Sequence, residues 1–315
     1  MKEKPLLIAH RGASGELPEH TLAAYERAAE RGADYLEPDL VSTKDGVLVC
    51  RHENEISGTT DIAKRPQFAT RKTTKRIDGI SFTGWFTEDF TWDELKAIRC
   101  RERLPAVRPG NATYDGKFPL VRFEDLIALA KRLSKKYGRT IGVYPETKHP
   151  SYFKQIGLAL EPVLVRVLKE AGWTTEIAPV FIQSFEKENL KQLRRMTGVR
   201  LISLIDTHPT PAELKELAQY AYGIGPTKGL VIPVGADGAL TKPTSLVQEA
   251  HAAGLKVHPW TFRRENQFLP KNLRRGNDPN APGDMAAELR AFVEAGIDGL
   301  FSDNPAEVAE YLQNR

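Results

Sequence analysis

Residues 6–12 read LLIAHRG, a short apolar run that ends in a histidine, an arginine and a glycine. A run of this length, stopped by polar residues and glycine, predicts a buried β-strand rather than a helix. Residues 35–40, YLEPDL, show the same design, with two acidic residues near the end. Between the two runs lies an Ala- and Glu-rich stretch, 21–31, which predicts a helix that ends before Gly32.

This alternation of short strand and helix continues along the chain and predicts parallel strands joined by crossover helices. About eight strand candidates can be counted, the number that closes a (β/α)8 barrel of the TIM type. We therefore predict the α/β class with this barrel. The candidates are Leu6–His10, Tyr35–Leu40, Ile141–Glu146, Pro179–Ser184, Arg200–Ile205, Tyr222–Gly225, Lys256–Trp260 and Gly299–Ser302.

One segment lacks the alternation of strands and helices and accounts for the extra length of the chain. The chain has 315 residues, whereas a plain barrel has roughly 250. Residues 47–52 follow an Asp-Gly turn and predict an extra strand paired with the second barrel strand as a hairpin. Residues 53–117 show no strand–helix alternation, and a capping box of Thr91 and Glu94 predicts one short helix. We expect a barrel domain of residues 1–52 and 118–315, with 53–117 as an insertion over its active face.

Composition narrows the possible partners. The hydrophobic share is 41%, the charged share 27%, and the net charge of +4 lacks the concentrated basic patch of a nucleic-acid binder. No apolar run approaches the roughly 18 residues of a membrane span, and no signal peptide is evident. We expect a cytoplasmic protein as presented, or a periplasmic or secreted one if a leader was removed. Cys50 and Cys100 are expected to be unpaired, with a single disulfide left open.

The polar residues that end neighbouring strands predict a reaction centre. In a TIM barrel the chemistry gathers at the carboxyl ends of the strands. Glu37 and Asp39 are two apart on a strand, so they share a face and repel each other unless a cation lies between them. Glu146, at the end of the third barrel strand, can complete an oxygen ligand set for a divalent metal ion. Carboxylates at strand ends also serve as helix caps or partners of basic residues, but the cluster as a whole favours a metal.

Two of the seven histidines end strands, and we predict that they transfer protons in the reaction as general acid and general base. His10 ends the first strand and His52 ends the hairpin strand, and an imidazole can take or give a proton near neutral pH. The patterns around the others predict different roles. His20 is expected to cap a helix, and His149 and His208 to lie in loops. His251 is expected to be a surface or packing residue of a helix, and His258 to pack in the core, with a place at the barrel mouth as the alternative.

At these residues the sequence resembles the glycerophosphodiester phosphodiesterase family, in particular its long bacterial branch. The resemblance consists of an ordered series of motifs that extends across the chain. They are HRG at 10–12, PEHT at 18–21, EPD at 37–39, VLVCRHE at 47–53, IGVYPETK at 141–148, QSF at 183–185, HPWT at 258–261 and GLFSD at 299–303.

The resemblance implies roles for particular residues. His10 and His52 would be the acid/base pair, while Glu37, Asp39 and Glu146 would hold a divalent ion, Ca²⁺ first and Mg²⁺ as the alternative. The implied reaction is the hydrolysis of a small glycerophosphodiester to sn-glycerol 3-phosphate and an alcohol, with the glycerol 2-hydroxyl as the nucleophile. Glu53 departs from the family's usual Asp, which puts a supporting hydrogen bond to His52 in doubt. The further set, expected to bind substrate, is Arg11, Lys148, Phe185 and Trp260.

Three further expectations complete the interpretation. The long loop 263–284 and the insertion are expected to form a partial lid, with an ordinary solvated loop as the alternative. A lysophospholipase D-type reaction on lysolipids is the rival enzymatic reading. A barrel that only binds ligand is the rival from another class, and it would require a broken acid/base or ligand position. The oligomeric state is not indicated.

Overall fold

The computed structural model describes residues 4–314. Its strands are β1 Leu6–His10, β2 Tyr35–Glu37, β3 Asp39–Ser42, β4 Leu48–Cys50, β5 Thr73–Ile77, β6 Ile80–Gly84, β7 Gly142–Val143, β8 Glu146–Thr147, β9 Phe181–Ser184, β10 Arg200–Ile205, β11 Gly223–Pro226, β12 Lys256–Val257 and β13 Gly299–Ser302. Its α-helices are α1 Leu22–Glu30, α2 Trp92–Leu95, α3 Pro109–Ala112, α4 Phe123–Tyr137, α5 Pro150–Gln155, α6 Leu160–Glu170, α7 Lys187–Met196, α8 Pro211–Leu217, α9 Lys228–Val231, α10 Leu246–Ala252, α11 Met285–Glu294 and α12 Pro305–Gln313.

The parallel strands form the predicted barrel. One sheet runs β13-β1-β2-β7 and the other β12-β11-β10-β9-β8-β3 with β4 at its edge. The sheets join because β2 continues directly into β3, and β7 into β8. On the other side, Asp298 N donates to Val257 O over 2.9 Å and Phe301 N to Pro259 O over 3.0 Å, which links β13 to the β12 segment. The hairpin is also confirmed, since β4 pairs antiparallel with β3.

Proline interrupts the second barrel strand without ending it. The strand resumes at Asp39 and changes partners: β2 lies between β1 and β7, whereas β3 lies between β8 and β4. Pro38 lacks an amide donor, but its carbonyl still accepts from Glu146 N over 2.8 Å. The two metal-ligand candidates therefore flank the point at which the strand changes neighbours.

Side-chain alternation along the strands creates an inner and an outer apolar layer. Leu7 and Ala9 belong to the large cluster between the strands and the helices, whereas Ile8 belongs to a smaller cluster with aromatic residues. That smaller cluster contains Tyr144, whose hydroxyl lies 2.9 Å from His258 Nδ1. His258 is 1% exposed and packs among these rings, as expected from the sequence.

Segment 53–117 contains more regular structure than the one predicted helix. That helix, α2, is present with its capping box of Thr91 and Glu94. In addition, β5 and β6 form a hairpin around Asp78 and Gly79, and short 3-10 turns occupy Ile62–Lys64, Pro66–Arg71 and Thr87–Asp89. An apolar cluster of its own fills this segment, with Cys100 among its members. Cys100 is buried there and Cys50 is buried in the barrel core, and both thiols are unpaired, as expected.

Candidate active site

A cavity of about 430 Å³ opens at the carboxyl ends of the barrel strands. All nine residues predicted from the sequence line it except Asp39, which lies directly beneath in contact with Arg11. The structure thus brings together side chains from β1, β2, β8, β9 and the turn after β4. The predicted residues in the lining are His10, Arg11, Glu37, His52, Glu146, Lys148, Phe185 and Trp260.

Three buried carboxylates converge at the floor of this cavity. One oxygen from each of Glu37, Asp39 and Glu146 can be chosen so that all lie within 4.8 Å of one another. Parallel pairing explains the convergence, because Asp39 stands opposite Glu146 in the register of β3 and β8. Glu37 is fixed by Arg11 N, which donates to Oε2 over 2.8 Å, and by Gln183 Nε2, which donates to Oε1 over 3.0 Å.

The three carboxylates differ in the direction in which their pKa values are shifted. Burial and the neighbouring charges of Asp39 and Glu146 raise the pKa of Glu37 well above its usual value. Burial raises the pKa of Glu146 to about 7, with Lys148 opposing the shift and Asp39 adding to it. Burial also acts on Asp39, but His52, Lys148 and Arg11 outweigh it and hold the pKa of that carboxyl well below its usual range. The basic groups of the protein therefore do not fully neutralise the three carboxylates at the cavity floor.

His10 is oriented by a carboxylate from the last barrel strand. Its Nδ1 lies 2.6 Å from Oδ1 of Asp303, which follows β13 directly. In the tautomer that donates from Nδ1, the basic Nε2 is left without a proton. Burial and the charge of Arg11 lower the pKa of His10 to about 4, although Asp303 opposes them. The imidazole is therefore neutral at physiological pH and can accept a proton.

His52 is oriented in the same way by the residue that follows it. Its Nδ1 lies 2.5 Å from Oε1 of Glu53, so the longer side chain makes the hydrogen bond that the sequence put in doubt. On the other side of the ring, Lys148 Nζ lies 3.2 Å from Nε2. Burial and the charge of Arg11 lower the pKa of His52 to about 4. Each histidine thus has one nitrogen held by a carboxylate.

The basic residues connect these groups. Lys148 Nζ donates to Glu146 Oε1 over 2.8 Å, and Arg11 Nε lies 3.2 Å from Asp39 Oδ2. Arg11 occupies the left-handed region with φ of +59°, a conformation that is costly for a residue with a Cβ atom. Its Nε has no hydrogen-bond partner although it is buried. Both cations lie where they can meet an anionic substrate.

The opposite wall of the cavity is apolar. The rings of Phe185 and Trp260 meet edge to face with centroids 5.8 Å apart. Trp260 is anchored by Nε1, which donates to Gly225 O over 2.8 Å, whereas Phe185 is 44% exposed. Both residues line the cavity rather than the core, so a carbon skeleton can lie against them while its anionic end faces the basic residues.

Sequence reasoning missed several groups and misread one. His20 was expected to cap α1, but Thr21 is the cap, accepting from Ala24 N. His20 is instead fully buried between Asp39 Oδ2, 2.9 Å away, and the Tyr25 hydroxyl, 2.7 Å away. Most of the missed groups lie far along the chain from the side chains they contact, although Glu19, Gln183 and Asp303 stand within the motifs PEHT, QSF and GLFSD. They are Asp303, Gln183, Arg103, Arg108, Arg263 and Glu19.

The floor of the cavity fits a hard divalent cation. Its donors are carboxylate oxygens, the ligands that Ca²⁺ and Mg²⁺ prefer. The raised pKa values of Glu37 and Glu146 also follow from a cluster of negative charge that a cation would relieve. The buried acidic triad could therefore bind a divalent metal ion.

Comparison with known proteins agrees with this site. The profile of the Glycerophosphoryl diester phosphodiesterase family matches residues 10–307. The chain belongs to this family. As in its relatives, the activity class is that of a phosphoric diester hydrolase acting as a glycerophosphodiester phosphodiesterase.

Individual relatives cover nearly the whole chain. Glycerophosphodiester phosphodiesterase GDPD6 of Arabidopsis thaliana is 38% identical over 98% of this chain and 86% of its own length. A glycerophosphodiester phosphodiesterase of Haemophilus influenzae is 30% identical over 99% of this chain and 91% of its own.

Solved structures of the family share the fold. A glycerophosphoryl diester phosphodiesterase structure from Silicibacter pomeroyi has a TM-score of 0.71 at 18% identity, covering 99% of this chain and 95% of that one. A phosphodiesterase of Oleispira antarctica, solved with the product sn-glycerol-3-phosphate, has a TM-score of 0.65 at 20% identity, covering 98% and 97%. Among residues 4–314, no helix has the length and apolar character needed to cross a membrane.

Proposed function

We propose that this protein hydrolyses small glycerophosphodiesters, such as glycerophosphocholine and glycerophosphoethanolamine, to sn-glycerol 3-phosphate and an alcohol. The observation that carries the proposal is the matched pair of imidazoles on one cavity. His10 and His52 each have Nδ1 on a carboxylate, and both line the cavity whose floor holds the acidic triad. A diester cleavage needs one group that accepts a proton and one that donates it.

Glu37, Asp39 and Glu146 are proposed to hold a divalent ion, with Ca²⁺ as the first candidate and Mg²⁺ as the second. When bound, the ion would supply positive charge against the oxygens of the phosphoryl group as their charge grows in the transition state. Arg11 and Lys148 would donate hydrogen bonds to the same oxygens. The Nε of Arg11 is buried and forms no hydrogen bond, although it lies 3.2 Å from Asp39 Oδ2. This supports the role of the guanidinium, because a phosphate would give that buried donor an acceptor.

The proton transfers are assigned to the two histidines. One imidazole takes the proton of the glycerol 2-hydroxyl, and that oxygen attacks phosphorus. The bond from phosphorus to the departing alcohol breaks, and the other imidazole gives this alcohol its proton. Because both imidazoles are neutral in the free protein, this one has to take up a proton when the anionic diester binds. Water then opens the cyclic phosphate with the two roles exchanged, which restores both histidines. Phe185 and Trp260 are proposed to bind the carbons of the substrate.

Segment 53–117 is proposed to be a subdomain over the active face, and to form a partial lid with loop 263–284. Direct contacts between the two support this arrangement. Arg108 Nε donates to Glu265 Oε1 over 2.7 Å, and Asn280 Nδ2 donates to Ala106 O over 3.1 Å. Water would be restricted in a cavity covered from these two sides.

A coupled assay for glycerol 3-phosphate tests the proposal. Glycerophosphocholine should be turned over with added Ca²⁺ or Mg²⁺, and turnover should stop with chelator. His10→Ala and His52→Ala should each lose about 100- to 10,000-fold in kcat while they keep the wild-type melting temperature. His251→Ala is the matched control, because that ring lies at the surface beside Asp298. Retained activity in both variants would refute the assignment of the histidines.

Two further substrates separate the alternatives. A glycerophosphodiester in which the 2-hydroxyl is replaced by hydrogen should react poorly, and brisk hydrolysis would indicate direct attack by water. Lysophosphatidylcholine tests the rival lysolipid reaction, which would be favoured if it were turned over with a higher kcat/KM than glycerophosphocholine. No turnover of any diester would leave only a binding function.

A further inference from the structure

The carboxylate that orients His52 is itself held by an arginine of segment 53–117. Arg103 Nη1 and Nη2 donate to the two oxygens of Glu53 over 2.9 and 2.7 Å. The same guanidinium donates from Nε and Nη2 to Glu19 over 2.8 and 2.7 Å. Two-pronged pairs of this kind fix the plane of a carboxylate as well as its position. These contacts therefore hold the Glu53 carboxylate in place against His52.

The carboxylate that orients His10 is held by a second arginine of the same segment. Arg108 Nη2 donates to Asp303 Oδ2 over 2.8 Å, while Oδ1 of the same carboxylate faces His10. Arg263, from the loop after β12, also donates to Oδ2 over 2.7 Å. Asp303 thus has one oxygen for the imidazole and the other for two guanidinium groups.

Arg103 and Arg108 are only five residues apart, and the backbone between them is fixed. Leu104 N donates to Glu102 Oε1 over 2.8 Å, and Arg108 N donates to Leu104 O over 2.8 Å. The two histidines, by contrast, lie on separate elements, His10 at the end of β1 and His52 in the turn after β4. Within residues 4–314, no hydrogen bond joins them directly. One short stretch of chain therefore contacts the carboxylate partner of each histidine.

We propose that segment 103–108 positions both histidines, Arg103 acting through Glu53 on His52 and Arg108 acting through Asp303 on His10. The inference rests on the proposed function, since it takes the two imidazoles to be the acid and the base. Arg103 and Arg108 are positioning residues, because neither needs to touch the substrate. Segment 53–117 is thereby more than a cover, because the ion pairs of Arg103 and Arg108 set the direction in which each imidazole nitrogen points.

The contacts that hold His52 and those that hold His10 differ in solvent exposure, so their loss should have different effects. Among residues 4–314, Arg103 is the one arginine whose guanidinium contacts Glu53, and the side chains of Arg103 and Glu53 are 27% and 35% exposed. Asp303 retains Arg263 if Arg108 is lost, but Arg108 and Asp303 are only 6% and 4% exposed. Loss of Arg103 should therefore affect the reaction more than the fold, because water can solvate the Glu53 carboxylate and the buried Glu19 keeps its ion pair with Arg11. Loss of Arg108 should affect the fold more, because it leaves buried carboxylates with fewer partners.

The test compares two substrates with different leaving alcohols, glycerophosphocholine and the 4-nitrophenyl diester of glycerol phosphate. Alcohol release is followed in a single turnover, which reports the first step alone and not the later opening of the cyclic phosphate. A nitrophenolate departs without a proton, so in this step loss of the catalytic acid harms only the choline diester, whereas loss of the base harms both. His10→Ala and His52→Ala first establish which pattern belongs to which histidine. Arg103→Gln should then show the pattern of His52→Ala, and Arg108→Gln that of His10→Ala. We expect each to lower kcat by about 10- to 100-fold, with KM and calcium affinity within about threefold of wild type.

Controls separate positioning from general damage. Arg65→Gln removes a comparable arginine of the same segment, paired with Asp61 at 2.6 Å and remote from both histidines, and should leave kcat unchanged. Arg103→Lys keeps the charge but not the two-pronged geometry, so it should recover only part of kcat. If Arg108→Gln does not fold, Arg108→Lys replaces it, and a native melting temperature with the His10 pattern is then expected.

The outcomes distinguish this inference from the proposed function. Inactive histidine variants together with a wild-type kcat in both arginine variants would overturn the inference and leave the function intact. So would arginine variants that lose only calcium affinity or KM, or that show the pattern of the wrong histidine. Full activity in both histidine variants would instead refute the proposed function, and the arginine inference with it.

Discussion

Lys148 Nζ lies 2.8 Å from Glu146 Oε1, so the ammonium group of one residue faces the carboxylate two positions before it. The same ammonium group also lies 3.9 Å from Asp39 Oδ1. Its charge competes with any metal ion for the same oxygens. The same ammonium group is proposed to bind the phosphate of the substrate. It should therefore weaken metal binding and at the same time speed the reaction.

Lys148→Met should therefore bind Ca²⁺ more tightly and react more slowly. We expect affinity to rise about tenfold, or about 1.4 kcal/mol, because a positive charge next to two ligands is removed. We expect kcat to fall at least about tenfold, because a donor to the transition state is lost. Titration calorimetry and the coupled assay measure the two changes, with the exposed Lys154→Met as control. Weaker calcium binding would contradict this account.

Glu37→Gln should separate stability from metal binding. In the absence of metal, burial and neighbouring charge already favour the neutral form of Glu37, which Gln resembles. The melting temperature in chelator should thus stay within about 2 °C of wild type. With Ca²⁺ at a hundred times the wild-type dissociation constant, wild type should gain about 2.7 kcal/mol, and the variant far less. Equal gains, measured by thermal unfolding, would exclude Glu37 as a ligand.

The metal-free protein should lose stability through Glu146 as the pH rises. Its pKa is raised to about 7 in the folded state from an ordinary value near 4.5. The folded state therefore binds more protons than the unfolded state between these values, so this contribution is complete below pH 4.5 and disappears as the pH rises through 7. At about 1.4 kcal/mol per pKa unit, the loss is at most about 3.5 kcal/mol.

Denaturant unfolding in chelator at pH 5 and pH 7.5 measures this loss. The free energy of unfolding of wild type should fall relative to Glu146→Gln over this range, because the variant cannot titrate at that position. Taking the difference between the two proteins removes the opposing contributions of His10 and His52, whose pKa values are lowered. If the difference in unfolding free energy between wild type and Glu146→Gln does not change with pH, the raised pKa of Glu146 is contradicted.

Phe185→Ala should weaken substrate binding more than it slows the reaction. The ring is 44% exposed and contacts Trp260, so its removal costs little stability but takes away apolar surface from the cavity wall. We expect KM to rise about three- to tenfold with kcat within about twofold, as for a contact made equally in the ground and transition states. Ile177→Ala, at an 89% exposed position outside the cavity, is the control. An unchanged KM would remove Phe185 from the substrate site.

The barrel and most of the reaction centre could be predicted because their signals are local. Strand period and strand-end position put Glu37, Asp39 and Glu146 at one edge, and parallel register does bring them within 4.8 Å. The β5–β6 hairpin also had a local signal, Asp78-Gly79 between two β-rich runs, that was passed over.

The supporting residues could not be predicted, because nothing local links them to their partners. Asp303 is 293 positions from His10, and Arg103 is 50 positions from Glu53. Arg103 also stands in a segment without periodicity, so neither its direction nor its partner follows from sequence. Only tertiary packing decides which of the 45 lysines and arginines meets which carboxylate. The hydrogen bond of Glu53 likewise depended on side-chain reach rather than on residue type.

The two buried, unpaired thiols are placed so that each can act as a probe. Cys50 lies in the barrel core and Cys100 in the separate apolar cluster of segment 53–117, and burial raises the pKa of both. A thiol reagent can therefore reach either sulfur only when the structure around it opens. Labelling of the second before the first would reveal whether this segment detaches while the barrel stays closed, in a protein to which no reporter group has been added.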